Sequence, residues 1–176
     1  MKHILVAAGL VALFFALAAQ AQTTPPPSGP EQKQLGVFVG TWAGEGKMEA
    51  TPFGKAGTTK GTMTCLWYTG EYQLVCDSED SGPMGKIKSH SIYGYNVEKK
   101  HYFSFGIDST GYAGPGTAKV DKSSWTFEAT DTMAGKTYHF RTVVKLEPPN
   151  ELAYKSEYSE DGKKWMLMSE GKMTRK

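Results

Sequence analysis

The chain has few of the residues from which catalytic and metal sites are usually built. Its 176 residues include two cysteines and four histidines. No Gly-x-Ser-x-Gly elbow is present to expose a nucleophile, and no His or Cys residues have the spacing of a zinc site. The paired acids Glu79-Asp80 and Glu160-Asp161 are expected at turns, where water would keep them ionised and unsuited to general acid catalysis. The sequence therefore offers no support for an enzyme, for a metal site or for a bound cofactor.

An excess of one charge is also missing. The chain carries 20 Lys and Arg against 18 Asp and Glu, which gives a net charge of +2. Such a balance gives no electrostatic reason to expect a nucleic acid or an anionic membrane surface as partner. The sequence does not indicate an oligomeric state.

One long apolar run is present, at the N-terminus. Lys2 and His3 precede an apolar stretch over residues 4–19, and Ala19-Gln20-Ala21 follows the small-x-small pattern of a signal-peptidase site. At about 16 residues the run is shorter than the roughly 20 that a membrane span needs. We therefore expect residues 1–21 to be a signal peptide, cleaved before Gln22, and the mature protein to be periplasmic or secreted without stable membrane insertion. An uncleaved N-terminal anchor is the alternative.

The rest of the chain divides into a tether and a domain. Residues 22–34 are mainly Thr, Pro, Ser, Gly and Gln, with too little apolar surface to fold, and are expected to form a flexible Pro-rich linker. Residues 35–176 contain enough sequence for a single hydrophobic core. Residues 35–38 are expected to form a short capping turn before the first strand.

The domain shows the rhythm of an all-β fold. After Gly40, β-branched and aromatic runs alternate with turn residues every 8 to 14 positions, with no helical period. We expect ten strands at 40–50, 58–68, 72–80, 87–96, 101–108, 112–121, 124–131, 136–146, 151–159 and 164–174. Ten sequential strands joined by short loops favour a closed antiparallel up-and-down barrel, because closure removes exposed sheet edges.

Period-two spacing of aromatic residues indicates which side chains face the interior. Rings alternate with Lys, His, Arg, Ser and Glu, as in a sheet with one wet face. The residues assigned to the inner face are Tyr93, Tyr95, Phe103, Phe105, Ile107, Tyr138, Phe140, Thr142, Val144, Leu146, Leu152, Tyr154 and Tyr158. These rings either line a ligand cavity or fill the core, since barrels of eight to ten strands show both.

The two cysteines fall on neighbouring predicted strands. A two-residue turn at Gly70-Glu71 would place Cys65 opposite Cys76 and Trp67 opposite Leu74, with the side chains of each pair on one face. Opposed residues lie within disulfide range, and an even cysteine count in an exported protein favours a disulfide. Two buried free thiols or a metal pair are the alternatives, and a bulge would shift the register by one.

The two ends of the predicted barrel resemble the calycin-type barrels, the lipocalins and their relatives. Gly40-Thr41-Trp42 opens the first strand and Arg175 follows the last. In calycins a Gly-x-Trp ring packs under an Arg or Lys from the end of the barrel, so the resemblance implies a structural Trp42–Arg175 pair at the barrel floor.

Several segments are more specifically similar to exported bacterial members of domain-of-unknown-function family 1579. The similarity covers roughly residue 35 to the end and implies a calycin-like barrel without implying an activity. The chain also resembles nitrobindin-type barrels, more distantly. Those bind haem through a His near the C-terminal strand, whereas residues 165–176 contain no His, which counts against haem. The segments that carry the family similarity are LGVFVGTW at 35–42, Cys65-Leu66-Trp67 with Cys76, SGPMG at 81–85, Gly94-Tyr95, Gly106-Ile107-Asp108 and Ser159-Glu160-Asp161-Gly162.

Two functional hypotheses follow. The first is an exported barrel protein that binds a small hydrophobic ligand inside the barrel. The alternative is a solid-core envelope protein that acts through its surface or a partner, with no ligand. The residues expected to line the cavity under the first hypothesis are Trp67, Tyr93, Tyr95, Phe103, Phe105, Tyr138, Phe140 and Tyr154.

Overall fold

The structure is a computed structural model that describes residues 27–147 and 149–176. The expected signal peptide, residues 1–21, and the first part of the expected linker, residues 22–26, lie outside the described residues. Within the described ranges, no helix has both the length and the hydropathy that a membrane span requires.

Ten antiparallel strands form one closed barrel. They are β1 Gly40–Met48, β2 Gly57–Trp67, β3 Gln73–Gly82, β4 Gly85–Asn96, β5 His101–Asp108, β6 Ala113–Asp121, β7 Ser124–Met133, β8 Lys136–Glu147, β9 Glu151–Ser159 and β10 Met166–Arg175. Each strand pairs with its neighbours in sequence, and β1 pairs with β10 to close the cylinder. This confirms the predicted up-and-down barrel, and no strand end differs from its expected position by more than two residues.

Two short helical segments precede the barrel. Helix α1, Pro30–Gln34, leads into a 3-10 turn, Leu35–Phe38, at the position expected for a capping turn. The structure differs from the expected linker here, because Gln32 is 4% exposed and the Tyr102 hydroxyl donates to the Glu31 carbonyl oxygen at 3.0 Å. The contact with the barrel orders a segment whose own apolar surface is too small to fold alone.

The strand register assigns the side chains of the strands to the inside or the outside of the barrel, except at Met168, where a β-bulge in β10 shifts the register. Directly opposed residues of an antiparallel pair lie on the same face. Trp42, Leu74 and Trp125 are each 1% exposed or less and mark the inner face. The ladders then carry that assignment from strand to strand around the whole cylinder.

The two ends of the barrel differ. We call the end where β1 begins and β10 finishes the floor, because the turn Leu35–Phe38 packs against it. The opposite end, where residues 49–56 join β1 to β2, is the mouth. The hydrophobic core lies in the floor half and includes Leu35, Phe38, Trp42, Cys65, Leu74, Cys76, Tyr102, Ala118, Trp125 and Leu152.

Candidate functional site

The floor half of the barrel is packed with rings. The Phe38 ring centroid lies 5.3 Å from that of Trp125, and the Tyr102 and Trp125 centroids are 4.8 Å apart. The Trp42 indole nitrogen donates to the Phe38 carbonyl oxygen at 2.8 Å. Burial raises the pKa of Tyr102 to about 12, with the nearby Glu31 and Tyr95 adding to the effect.

The C-terminal arginine completes the floor. The Arg175 guanidinium lies 4.5 Å from the centre of the Trp42 ring, and its Nη2 donates to the Val37 carbonyl oxygen at 2.9 Å. This is the geometry that the calycin resemblance implies. A cation over an indole face stabilises by about 0.5–2 kcal/mol, depending on how far it is shielded from water.

A disulfide lies on the inner wall of the same half. Cys65 and Cys76 are directly opposed and bonded, and their exposed fractions are 0% and 4%. The predicted pairing and its register, including Trp67 opposite Leu74, are confirmed. The connecting loop is longer than the expected two-residue turn, because residues 69–71 form a 3-10 turn with Gly70 and Glu71 at positive φ. The bond suggests a non-cytoplasmic compartment.

The mouth half has a different lining. Apart from the rings of β8 and β9 and apolar residues such as Met48 and Ile87, its inward side chains are small and mostly polar, and they remain partly accessible although they point into the barrel: Ser78, Ser89, Ser91, Ser104, Ala129, Thr142 and Ser169. The Ser78 and Ser89 hydroxyls are 2.7 Å apart, and those of Thr142 and Ser156 are 2.9 Å apart. We call this space and its walls the cup.

These small side chains are short compared with the width of the barrel. Ten strands about 4.8 Å apart and tilted by about 40° make a cylinder with a radius of about 10 Å. A hydroxymethyl group spans only a small part of that radius. Gly46 and Gly171 add no side chain at all, and the Tyr154 hydroxyl occupies the space above both.

Three wall rings and one loop ring form an aromatic cluster at the mouth. Phe53, in the loop between β1 and β2, has its centroid 5.0 Å from Tyr138, 5.5 Å from Phe140 and 5.1 Å from Tyr158. We call these four residues the mouth cluster. Because Phe53 comes from a loop and the other three from strands β8 and β9, the cluster places a ring from a connecting segment over one side of the cup.

The structure distributes the residues expected to line a cavity over three places. Trp67, Tyr93 and Tyr95 point inward but pack against the floor core. Tyr138, Phe140 and Tyr154 point into the cup. The expected inward orientation of Phe103, Phe105 and Ile107 is wrong.

The error on β5 has a clear structural cause. Tyr95 is opposed to Tyr102 and Tyr93 to Ser104, so the even-numbered residues of β5 face inward. Phe105 and Ile107 are therefore on the outer wall, 45% and 46% exposed. Phe105 continues an outward apolar row across β2 to β6, made of Leu66, Val75, Ile92, Phe105 and Pro115.

Asp80 is a cup residue that the sequence reasoning missed. It was expected at a turn, but β3 extends through it, and its register opposite Gly61 and Ile87 turns the side chain inward. Enclosure by the barrel wall raises the pKa of the Asp80 carboxyl, and a hydrogen bond with Ser78 partly offsets this, although water still reaches the side chain. The alternation Cys76, Ser78, Asp80 was the signal available in the sequence.

Two open grooves lie on the outer wall. One, of about 430 Å³, is bordered by charged residues that include Glu45, Lys60 and Lys176. The other, of about 570 Å³, contains the exposed pair His90 and Asp77, whose Nδ1 and Oδ1 atoms are 2.8 Å apart. Across residues 27–147 and 149–176, no three or more His, Cys, Asp or Glu side chains are grouped to hold a metal ion.

Comparisons with known proteins agree with this architecture. A protein-family model described as "Protein of unknown function (DUF1579)" matches residues 27–175. Among solved structures, Rv2717c from M. tuberculosis is similar with a TM-score of 0.63 and 13% identity, over 85% of this chain and 99% of that one. The S-type phycobiliprotein lyase CPES from Guillardia theta is similar with a TM-score of 0.55 and 11% identity, over 83% and 92% of the two chains. At these identities the similarities establish the fold alone. No curated protein matches the chain.

Proposed function

The chain belongs to the DUF1579 family, whose function is unknown, and we propose that this protein binds a small, largely apolar molecule in the cup. The observation that carries the proposal is the contrast between the two halves of one barrel. The floor half is filled by rings, whereas the mouth half combines the mouth cluster with a series of Ser, Thr, Gly and Ala positions whose side chains remain partly accessible. A partly aromatic and accessible interior of this kind is suited to holding a small molecule.

The chemistry of the cup fits such an occupant. Binding sites for small molecules combine apolar and aromatic walls with a few polar groups that orient the ligand. The mouth cluster supplies the aromatic wall. Tyr154, the Thr142–Ser156 pair and Asp80 supply polar groups on other parts of the wall.

The packed floor supports the proposal from the other side. Arg175, Trp42 and the turn Leu35–Phe38 close that end. A ligand would therefore enter and leave through the mouth, past the loop of residues 49–56. Phe53 is the residue of that loop whose ring would have to move or stay in contact with the bound molecule.

The compartment is part of the proposal. We propose that residues 1–21 direct export, that cleavage before Gln22 releases the chain, and that the protein works in the periplasm or outside the cell. The disulfide supports this, since such bonds persist in oxidising compartments.

Uptake of a neutral probe tests the proposal. A naphthalene carrying a hydroxymethyl group is expected to bind with a stoichiometry of one per chain, measured by calorimetry. Ala129→Phe places a ring in the space that the probe would occupy. It is expected to weaken binding at least about tenfold, because an apolar group of this size that can no longer be buried there forfeits about 1.5–3 kcal/mol. Thr130→Phe is the matched control, because Thr130 is the next residue of β7 and points outward.

The outcomes separate the two hypotheses. No uptake, or equal uptake by wild type and Ala129→Phe, would remove the cup as a binding site. The alternative of a protein that acts through its surface would then be favoured by the exposed outward row that contains Leu66 and Phe105. Native mass spectrometry of protein purified from its own source would show a co-purified ligand directly.

A further inference from the structure

All but one of the charged side chains that point inward in the mouth half are acidic. Along the ten strands, the inward positions of the mouth half hold three carboxylates, Asp80, Asp108 and Asp131. The one inward ammonium in these strands, Lys136 at the rim, is paired with Glu160 at 2.5 Å. Arg175 is inward too, but it lies at the floor over Trp42. The cup is therefore an acidic space.

The three carboxylates are held in different ways. Asp108 Oδ1 accepts hydrogen bonds from the backbone nitrogens of Thr110 and Tyr112, so it shapes the turn after β5. Asp131 Oδ1 accepts one from the backbone nitrogen of Thr132 at 2.7 Å. Both act mainly as fixed charges at the mouth.

Asp80 is placed differently. Its carboxylate lies against Gly61, where a Cβ atom would collide with Oδ1, so the glycine on β2 makes room for the acid on the inner wall. Among the described residues, the Ser78 hydroxyl is the one side-chain group that hydrogen-bonds the Asp80 carboxylate. The Asp80 side chain remains exposed to water, and the raised pKa of its carboxyl means that a nearby cation would favour its ionised form.

The pKa of Tyr112, at the mouth, is affected by two of these carboxylates. Tyr112 covers Gly114 at the mouth, with its hydroxyl beside the position that a Cβ of Gly114 would take. Burial raises the pKa of Tyr112, and the charges of Asp131 and Asp108 raise it further. Burial disfavours any charge at this point, whereas the contribution of the two carboxylates specifically opposes a negative one.

The mouth cluster adds a second feature that attracts cations. The faces of aromatic rings carry negative potential and bind ammonium groups, most strongly when water is excluded. The ring of Tyr138 already has such a neighbour, because Lys136 Nζ lies 5.6 Å from its centroid. Phe140 and Tyr158 extend the aromatic wall further into the barrel.

We infer that the ligand of the cup is an organic cation, an amine or a quaternary ammonium group joined to an apolar body. The inference rests on the proposed function. The apolar body would lie against the mouth cluster, and the positive group would lie between the inward carboxylates, since Asp131 is directly opposed to Tyr138 of the cluster and Asp80 lies across the cup on β3. A carboxylate ligand such as a fatty acid would be repelled by the same groups.

A series of three probes with one body tests the inference. The probes are naphthalenes that carry a trimethylammoniomethyl, a hydroxymethyl or a sulfonate group. We expect the cation to bind about tenfold or more tightly than the neutral probe, and the sulfonate more weakly than both, since cation–π contacts and opposite charges each contribute on this scale. Raising the salt concentration should reduce the differences in affinity among the three probes, because salt screens the charges.

Variants locate the origin of any preference. Asp80→Asn is expected to reduce the affinity for the cation about threefold to tenfold and to leave the neutral probe unchanged. Asp77→Asn is the matched control. Asp77 lies on the outer wall of the same strand, and its replacement removes the same negative charge from the protein. Asp80→Asn with Asp131→Asn should abolish most of the preference for the cation.

Failure of the inference is distinguishable from failure of the proposed function. If the neutral probe binds in the cup as tightly as the cation, or if the sulfonate binds best, the inference is overturned and the binding cup stands. If the preference for the cation persists in the double variant, its source lies elsewhere and the inference is again overturned. If none of the three probes binds, both proposals fall.

Discussion

Two alanines of the inner wall provide a direct test of whether the barrel is filled at one end and open at the other. Ala118 on β6 is 4% exposed and stands between Tyr102 and Phe127 on the neighbouring strands. Ala129 on β7 is half-buried and stands between Gly116 and Phe140. Both point inward, so replacing each by Phe adds the same ring at the floor and in the cup.

The expected costs differ because the space differs. In a packed interior, added carbon atoms cost about 1–3 kcal/mol, and a whole phenyl ring beside Tyr102 and Phe127 should reach at least about 3 kcal/mol. For a domain of this size that lowers Tm by about 6–12 °C. In the cup the added ring meets open space and partly buries itself against Phe140, so Ala129→Phe should change Tm by less than about 3 °C.

Thermal unfolding followed by circular dichroism or calorimetry measures both values on the same protein. Thr130→Phe serves again as the control for an added ring on the outer wall. Equal large losses for Ala118→Phe and Ala129→Phe would mean that the mouth half is as densely packed as the floor, and the reasoning for a binding cup would fail. Equal small losses would refute the packed floor.

Two further predictions concern the disulfide and the N-terminus. Replacing both Cys65 and Cys76 by Ala opens a loop that spans 11 positions, which should lower the free energy of unfolding in urea by about 3 kcal/mol through the entropy of the unfolded chain; a change below about 1 kcal/mol would argue against that account. N-terminal sequencing of the mature protein from its own source should begin at Gln22, and a chain that still begins at Met1 would contradict cleavage.

Much of the barrel could be read from the sequence because strands leave a local record. Each strand alternates in polarity, and each break contains Gly, Pro, Asn or Asp at positions where the backbone must turn. The prediction that Cys65 pairs with Cys76 drew on the turn, on the side-chain alternation and on an even cysteine count in an exported chain, and the structure selects it from the alternatives of two free thiols or a metal pair. Because the connections are short, each strand pairs with the next one in sequence, and few other topologies are possible.

The orientation of β5 shows where local patterns stop being sufficient. Both faces of this strand carry rings, with Tyr102 on one and Phe103 and Phe105 on the other. Together with Ile107, these two phenylalanines make the outer face more hydrophobic than the face with one tyrosine. Tyr102 nevertheless faces inward, and its hydroxyl donates a hydrogen bond to the Glu31 carbonyl oxygen in α1. The side that faces the interior is fixed by the ladders with β4 and β6, which no property of the isolated strand encodes.

The amino-acid sequence by itself determined the number of strands, their order, the disulfide and the class of fold, because turn residues, alternation and spacing act over a few positions. Only the tertiary structure decided that the interior is divided into a packed floor and an open cup. Filling is a property of a volume, to which strands on opposite sides of the cylinder, such as β1 and β6, both contribute. For the same reason Asp80, one acid among 18 Asp and Glu, acquires its distinct environment only when Gly61 and the closed wall surround it.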